Sequence, residues 1–487
     1  MGAYKLPSPR RAILAGVTLI VIILVLLSSN PYHPFGVDND VVQSAPPNAH
    51  APGRDEPQRL DALGLPVDYS LPFDEPSFCA ERFGLSYIEN LRNSATRYCT
   101  EQSDSQLTCF HSTTASDRID TFCLGQNAMF DITSRKFVMQ CELDEPRISK
   151  PYYRRPNFNN FPGYWYETGP KVIFRDWVRL SGNLLQAASS EPRDFTILVK
   201  REMGHNLWHS LMEIFSMTMS IDVLRITAQH DSGLGQRPLL ADVDMANVQV
   251  VLLDDIEDGP FLDLWSLLSN RRPVRVKELS KDSTLQNIVV PLPGGSNPFW
   301  QGDWSIHSCE DSVLLRTFSR RVLDFYGLSS PQPRRGSQVV LTFIDRTTTR
   351  RLLNSEIFLA ELRTKYPHVT IQSYDFAGVP LKRQLEIVQN TDILLGVHGA
   401  GLTHGFFLSP RSAMVEILPP KLNHKGFRNI ASLMDVGYFS AHGDKVSTVK
   451  RGWQEDDVYI DKERFMVLME AAIKSMYNKG ERNYDTV

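Results

Sequence analysis

The chain has 487 residues, 42% of them hydrophobic and 22% charged, which is enough to bury more than one core. Its formal charge of −4 excludes a general nucleic-acid binder, whose footprint is strongly basic. No internal repeat and no long low-complexity tract interrupts it, so the chemistry has to be read from motifs.

Lys5, Arg10 and Arg11 precede an unbroken apolar run from Ala12 to Leu27, closed by Ser28, Ser29, Asn30 and Pro31. At about 1.5 Å per helical residue, such a run nearly crosses a hydrocarbon core of about 30 Å. The basic residues hold its leading end in the cytosol. The expectation is a cytosolic tail over 1–11 and a transmembrane signal anchor over 12–29, in the single-pass type II orientation. A cleaved signal peptide is the alternative, although Leu26-Leu27-Ser28-Ser29 makes a poor small-x-small site. Either way the body is lumenal. Residues 30–75, rich in Pro, Asp, Gln and Ala and without a period, read as a solvated stem.

Cys79, Cys99, Cys109, Cys123 and Cys141 gather in a pre-catalytic segment over 76–150, with Cys309 apart from them. Six is an even number and no C-x-x-C pair suggests zinc, so disulfides in an oxidising lumen are expected. Their connectivity is not legible. No N-x-[ST] sequon occurs, so N-glycans are not expected.

The middle stretch, 151–330, reads as one lobe. Strands are expected at Phe195–Val199 and Val248–Leu253, with helices at Leu207–Ile226 and Asp311–Tyr326. Within Gly204-His-Asn-Leu-Trp-His-Ser-Leu-Met-Glu213, four-residue spacing puts His205, His209 and Glu213 on one helix face. Glu213 or His209 is the candidate general base for a hydroxyl acceptor. A metal pair from His205 and His209 is a second reading, and a satisfied polar stripe a third. Asp254 and Asp255, just after a strand, are candidates for a divalent cation such as Mn bridging a diphosphate, or are solvated loop acids.

Residues 331–460 alternate strand and helix: a strand at 338–344, helical spacing over 350–365, and a strand at 369–373. A helix at 381–389 follows, then strands at 392–397 and 413–418, the last stopped by Pro419 and Pro420. That rhythm implies a parallel sheet covered on both faces. A terminal helix is expected at 462–477, inside a closing segment over 461–487. Gly396-Val-His-Gly-Ala-Gly-Leu-Thr-His404 lies between strand and helix, where backbone amides favour an anion. Gly399, Ala400 and Gly401 let the main chain approach phosphate, while His398 and Thr403 add side-chain donors. A glycine turn used only for geometry is the bland alternative. Arg346, Arg350 and Arg351 stand between a strand end and a helix start, where guanidinium groups can grip a diphosphate. Glu416, on the following strand, is a candidate ribose ligand.

Together these segments resemble a glycosyltransferase family. It includes the EGF-domain-specific O-linked N-acetylglucosamine transferases, protein O-mannose N-acetylglucosaminyltransferase and plant β-1,2-xylosyltransferase. The residues that carry the resemblance are Thr391–His404, then Arg350 with Leu353 and Asn354, then Asn206 with His209 and Glu213. Cys123, Asn127, Asp131, Cys141, Leu143, Asp144, Asp461 and Phe465 add to it. The resemblance implies an α/β, GT-B-like pair of Rossmann-like αβα lobes with a cleft between. It also implies inversion at the sugar carbon and a UDP-sugar donor. The EGF-specific branch implies UDP-GlcNAc and a Ser or Thr hydroxyl on a secretory-pathway protein, with no cofactor beyond the donor. Two departures keep alternatives open. Glu213 stands where Asp is usual, which leaves room for a non-catalytic nucleotide-fold protein, and a pentosyltransferase acting on glycans is a further reading. The closing residues Asn483-Tyr-Asp-Thr-Val487 carry no retrieval tetrapeptide, so the Golgi is expected as much as the endoplasmic reticulum.

Overall fold

The computed structural model describes residues 64–69, 76–144, 156–181, 194–231, 235–269, 271–280, 286–330, 338–444, 452–477 and 483–486. The expected anchor over 12–29 and most of the stem lie outside them. Among the described residues no helix is long and apolar enough to cross a membrane.

Two large sheets carry the α/β fold. The second is a parallel sheet of six strands in the order 369–375, 339–345, 393–397, 413–418, 437–442, 483–486; the first four are those the alternating pattern predicts, and the last two are not expected from it. Helices Leu381–Gln389 and Ala413–Leu418 as a strand fall where their patterns place them. The helix expected from 350 begins only at Ser355, because Arg350 (φ 53°) and Asn354 (φ 64°) both adopt left-handed backbone. Such conformations cannot continue a right-handed helix.

The first sheet differs from the expected αβα lobe. Nine strands form it, and its main path runs 96–97, 106–112, 120–131, 286–290, 195–199, 248–252, 274–275. The last four of these are mutually parallel, whereas the first three join antiparallel, so the cysteine-rich segment extends the same sheet. Cys109 and Cys123 lie directly opposite each other in that hairpin and are bonded. Cys99–Cys141 and Cys79–Cys309 are the other disulfides, the last joining residues 230 positions apart. Among the described residues no cysteine is free.

Between the sheets sits one continuous apolar core, to which Phe195 and Val250 contribute from the first sheet and Leu394 and Met414 from the second. Its centre is the Leu207–Arg225 helix, which buries every residue except Arg225. Its polar side chains are accommodated by internal partners: Thr218 donates to the Phe215 carbonyl and Ser220 to that of Ser216, while Asp222 accepts from Tyr69 and Arg321. Asn206 caps it, its side chain accepting from the amides of Trp208 and His209. Two smaller cores cover the outer faces of the sheets.

Candidate active site

The strand order of the second sheet places its first strand (339–345) between its second (369–375) and third (393–397). Chain connections leave in opposite directions on either side of that point, and ligands of open α/β sheets bind there, beyond the carboxyl ends of the strands. Arg346 and Arg350 follow the first strand, and His398 to Gly401 follow the third. The two sequence-predicted segments therefore meet at one switch point.

Arg350 is held there by a parallel segment, since Leu353 and Val458 exchange backbone bonds with Val458 and Arg351 at 2.8 and 2.9 Å. Arg351 points away into a bidentate pair with Asp457. Arg350 donates to the carbonyl of His398 at 3.1 Å and lies 5.8 Å from the Trp453 ring centre. Its Nε is buried without a partner, and no carboxylate pairs with it among the described residues. Burial, then the neighbouring Arg346 charge, pushes its guanidinium down to about 10. Arg346 itself donates only to Thr349. Two half-buried cations, with only Asp375 acting on Arg346 as a counter-charge and none on Arg350 among the described residues, are a receptor for an anion.

Gly399 has φ 144°, and a Cβ there would lie 2.9 Å from Nη1 of Arg350. Glycine at this position thus lets turn and guanidinium close together. The following helix, Ala400–Phe407, is a 3-10 helix, and Ala400 and Gly401 form its partly exposed start. Thr403 is the exception among the predicted turn donors. Its hydroxyl is fully buried and unpartnered, one tight turn below the open end, and offers nothing to a ligand.

His398 is oriented from below. Its Nδ1 lies 2.6 Å from a carboxylate oxygen of Glu416, whose other oxygen accepts from Tyr438 at 2.5 Å. Both oxygens of the fully buried Glu416 are thereby used, so it is a support for His398 and not the expected ribose ligand. Burial keeps the imidazole below its ordinary range in spite of that carboxylate. A neutral ring donating through Nδ1 presents a lone pair at Nε2. The expected donor at His398 is therefore an acceptor in this arrangement.

In the first half, His209 and Glu213 lie on the buried helix, whereas His205 is exposed and precedes the Asn206 cap. The pair needed for a metal does not form, because His205 is outside the helical register. His209 places Nδ1 2.8 Å from Glu202, and the rings of Trp300 and Tyr166 stand edge-on at 4.7 and 5.1 Å. Glu213 accepts from the amide of Glu202 at 2.9 Å, and its second oxygen is buried and unpartnered. Burial first, and the Glu202 charge second, raise its carboxyl well above the carboxylate range. Asp254 is also committed: both its oxygens accept from buried Arg201. Asp255 is exposed and 3.7 Å from Lys277. Neither acid offers a cation a preformed pocket, and no group of three metal-ligating side chains occurs among the described residues.

The two histidines flank one aromatic cluster. His209 packs on Trp300, Trp300 on Trp208, Trp208 on Phe427 and Phe427 on His398. Beside it, His424 bonds to Asp303 at 3.0 Å, tying the 298–303 segment to the second sheet's edge of the site. Glu202, Trp300, Asp303, His424, Tyr438 and Trp453 belong to this surface and carried no sequence motif. An acid three residues past strand 195–199 and four before the Asn206 cap of a helix carrying a histidine was the one available signal for Glu202.

Residues 208–415 match the family described as Glycosyltransferase 61. The EGF domain-specific O-linked N-acetylglucosamine transferase of Drosophila melanogaster is 24% identical over 378 residues, 72% of this chain and 66% of that protein. The Bos taurus protein of the same name is 35% identical over 229 residues, covering 46% of this chain and 40% of its own length. For that of Canis lupus familiaris the identity is 32% over 251 residues, with coverages of 50% and 44%. The chain thus spans less than two thirds of the length of these relatives. The matched region holds His209, Glu213, the arginine loop and the glycine turn together.

Proposed function

Residues 208–415 belong with the glycosyltransferase 61 proteins, and from that premise we propose that this chain is an inverting glycosyltransferase with a UDP-sugar donor. The observation that carries the reading is the unpaired Arg350 against the Gly399 turn at the switch point of a parallel sheet. A nucleoside diphosphate supplies the anion that this cation lacks. The arrangement of two lobes is read as GT-B-like, with the donor on the second sheet and the acceptor beside the 207–225 helix.

In the reaction, an acceptor hydroxyl attacks the anomeric carbon as a base on that helix takes its proton. The bond from that carbon to the diphosphate breaks, and UDP leaves with the electron pair. Arg350 and Arg346 meet the growing phosphate charge, and the amides of the 399–401 turn add to them. The donor is UDP-GlcNAc and the acceptor a Ser or Thr hydroxyl of a secretory protein, a reading supported by the names of the relatives. Three disulfides support an oxidising compartment, Golgi or endoplasmic reticulum. Anchoring by residues 12–29 belongs to the same proposal.

A donor panel tests this. The purified chain is incubated with UDP-GlcNAc, UDP-xylose, UDP-GalNAc and UDP-glucose and an EGF-repeat acceptor, and UDP release is measured with and without EDTA. UDP-GlcNAc is expected to give the highest kcat/KM, and EDTA to leave it unchanged. A preference for UDP-xylose would move the donor to pentose. No release with any donor would remove the enzymatic reading.

A further inference from the structure

We infer that Glu202 is the positioning residue that makes His209 the general base, and that Glu213 is a structural acid beneath them. The inference rests on the transferase reading above and names a residue outside the sequence motifs and outside the matched region 208–415. The Glu202 side chain is 1% exposed and its oxygen lies 2.8 Å from Nδ1 of His209. An imidazole that donates from Nδ1 to a buried carboxylate has its lone pair at Nε2. That nitrogen has no hydrogen-bond partner among the described residues, and the side chain is 11% exposed, beside the exposed Tyr166. The imidazole thus retains an exposed edge with Tyr166 and Trp300 as its ring neighbours.

Glu213 cannot take that role. A Cβ on Gly294 would lie 2.8 Å from Cγ of Glu213 and 3.1 Å from Oε1 of Glu202, so the 294 backbone closes over both carboxyls. The imidazole is the most exposed of the three groups, whereas Glu213 borders a small cavity, with Leu198, Pro291 and Pro293, that His209 does not line. Glu213 instead accepts the Glu202 amide and fixes the strand-to-helix turn that aims Glu202. Two carboxyls this close do not both carry a charge easily, and Glu213 is the one whose burial retains the proton.

The step balances as follows. The acceptor O–H proton passes to Nε2 of His209 while the oxygen bonds to the anomeric carbon and the carbon–phosphate oxygen bond breaks. UDP carries off the electron pair. The imidazolium formed is neutralised by Glu202 at Nδ1 and releases its proton to solvent after the product leaves.

The test uses the full chain with UDP-GlcNAc and an EGF-repeat acceptor, and the variants Glu202→Gln, Glu202→Asp, His209→Gln and Glu213→Gln. Glu202→Gln is expected to lower kcat by at least tenfold, within the roughly 10²–10⁴ that a general base contributes, with the donor KM unchanged. Its acid limb in the kcat/KM profile shifts to lower pH, because the carboxylate that favours the imidazolium is gone. Glu202→Asp recovers part of kcat, and His209→Gln removes the limb. A wild-type kcat and limb in Glu202→Gln would overturn the inference, as would loss of the limb in Glu213→Gln but not in His209→Gln. Should Glu202→Gln fail to fold, Glu202→Asp and His209→Gln carry the comparison. Nitrogen-15 NMR of the histidine-labelled chain separates this from the transferase reading. Nδ1-protonated neutral His209 supports the inference even if no donor turns over, and the Nε2-protonated tautomer defeats it.

Discussion

Arg350 and His398 show how much of the site depends on single residues and their partners. Replacing Arg350 by Ala removes the cation that Gly399 was shaped around, and should cost about 2.7–4 kcal/mol of transition-state stabilisation, roughly 10²–10³ in kcat/KM. Since Arg350 makes no salt bridge, circular dichroism and Tm should stay close to wild type. His404 governs stability instead. Its Nδ1 donates to the Gly401 carbonyl, and burial pushes the ring down to about 4 from 6.5. The folded state thus binds this proton less tightly than the unfolded chain. Stability from the neutral ring is complete above about pH 6.5 and is lost as pH falls through the window toward about 4. At about 1.4 kcal/mol per pH unit that loss is on the order of 3 kcal/mol. Urea unfolding at pH 7 and pH 4.5 should show it, and His404→Asn should reduce the difference by about that amount, the remainder resting on His307 and His398, which burial also pushes down. Residue types at these positions were legible from sequence as polar groups near glycine. Their roles were not, because what Glu416 and Thr403 can reach is set by the residues that folding packs around them.

At the scale of elements, the strands at 339–345, 369–375, 393–397 and 413–418 and the helices at 381–389 and 462–477 follow from periodicity, since each is a buried run or an amphipathic stretch, whereas 426–433, 437–442 and 483–486 carried no such signal. The 346–354 stretch broke that pattern. Its helical spacing is overridden by left-handed backbone at Arg350 and Asn354 and by pairing with 455–458, a contact over about a hundred residues that local propensity does not encode. Gly399→Ala tests the turn on the other side. The added methyl meets the guanidinium of Arg350 and the backbone is strained at φ 144°. Donor KM should rise more than tenfold, while Gly378→Ala, with open space around it, should change nothing. The Asn206 cap is a second element-scale device. Asn206→Ala should lower stability by about 1 kcal/mol, measured by urea unfolding, and disturb His209 because the cap accepts that residue's amide.

For the whole molecule, the 207–225 helix joins the two halves, buried between the sheets and carrying His209 on its first turn with Trp208 beside it. Trp208 meets Phe406 and Phe427 of the second half, so Trp208→Ala should cost about 3–5 kcal/mol and loosen both histidines. A thermal melt should record that as a lower Tm, with UDP still binding through the second sheet. UDP at about a hundred times its Kd should stabilise the wild type by about 2.7 kcal/mol, and Arg350→Ala should lose most of that gain. By itself the sequence determined the α/β class, the four strands that begin the parallel second sheet, the arginine loop, the glycine turn and the resemblance to glycosyltransferases, because each is written in neighbouring residues. Tertiary structure alone decided the mixed first sheet, the disulfide partners and the switch point that joins Arg350 to His398. It also decided which acids are spent: Glu416 on His398 and Tyr438, Asp254 on Arg201, Glu213 on the Glu202 amide. The physical reason is the same in every case. A carboxylate's role is set by its burial and by the donors within about 3 Å, and those donors come from parts of the chain that only folding brings near.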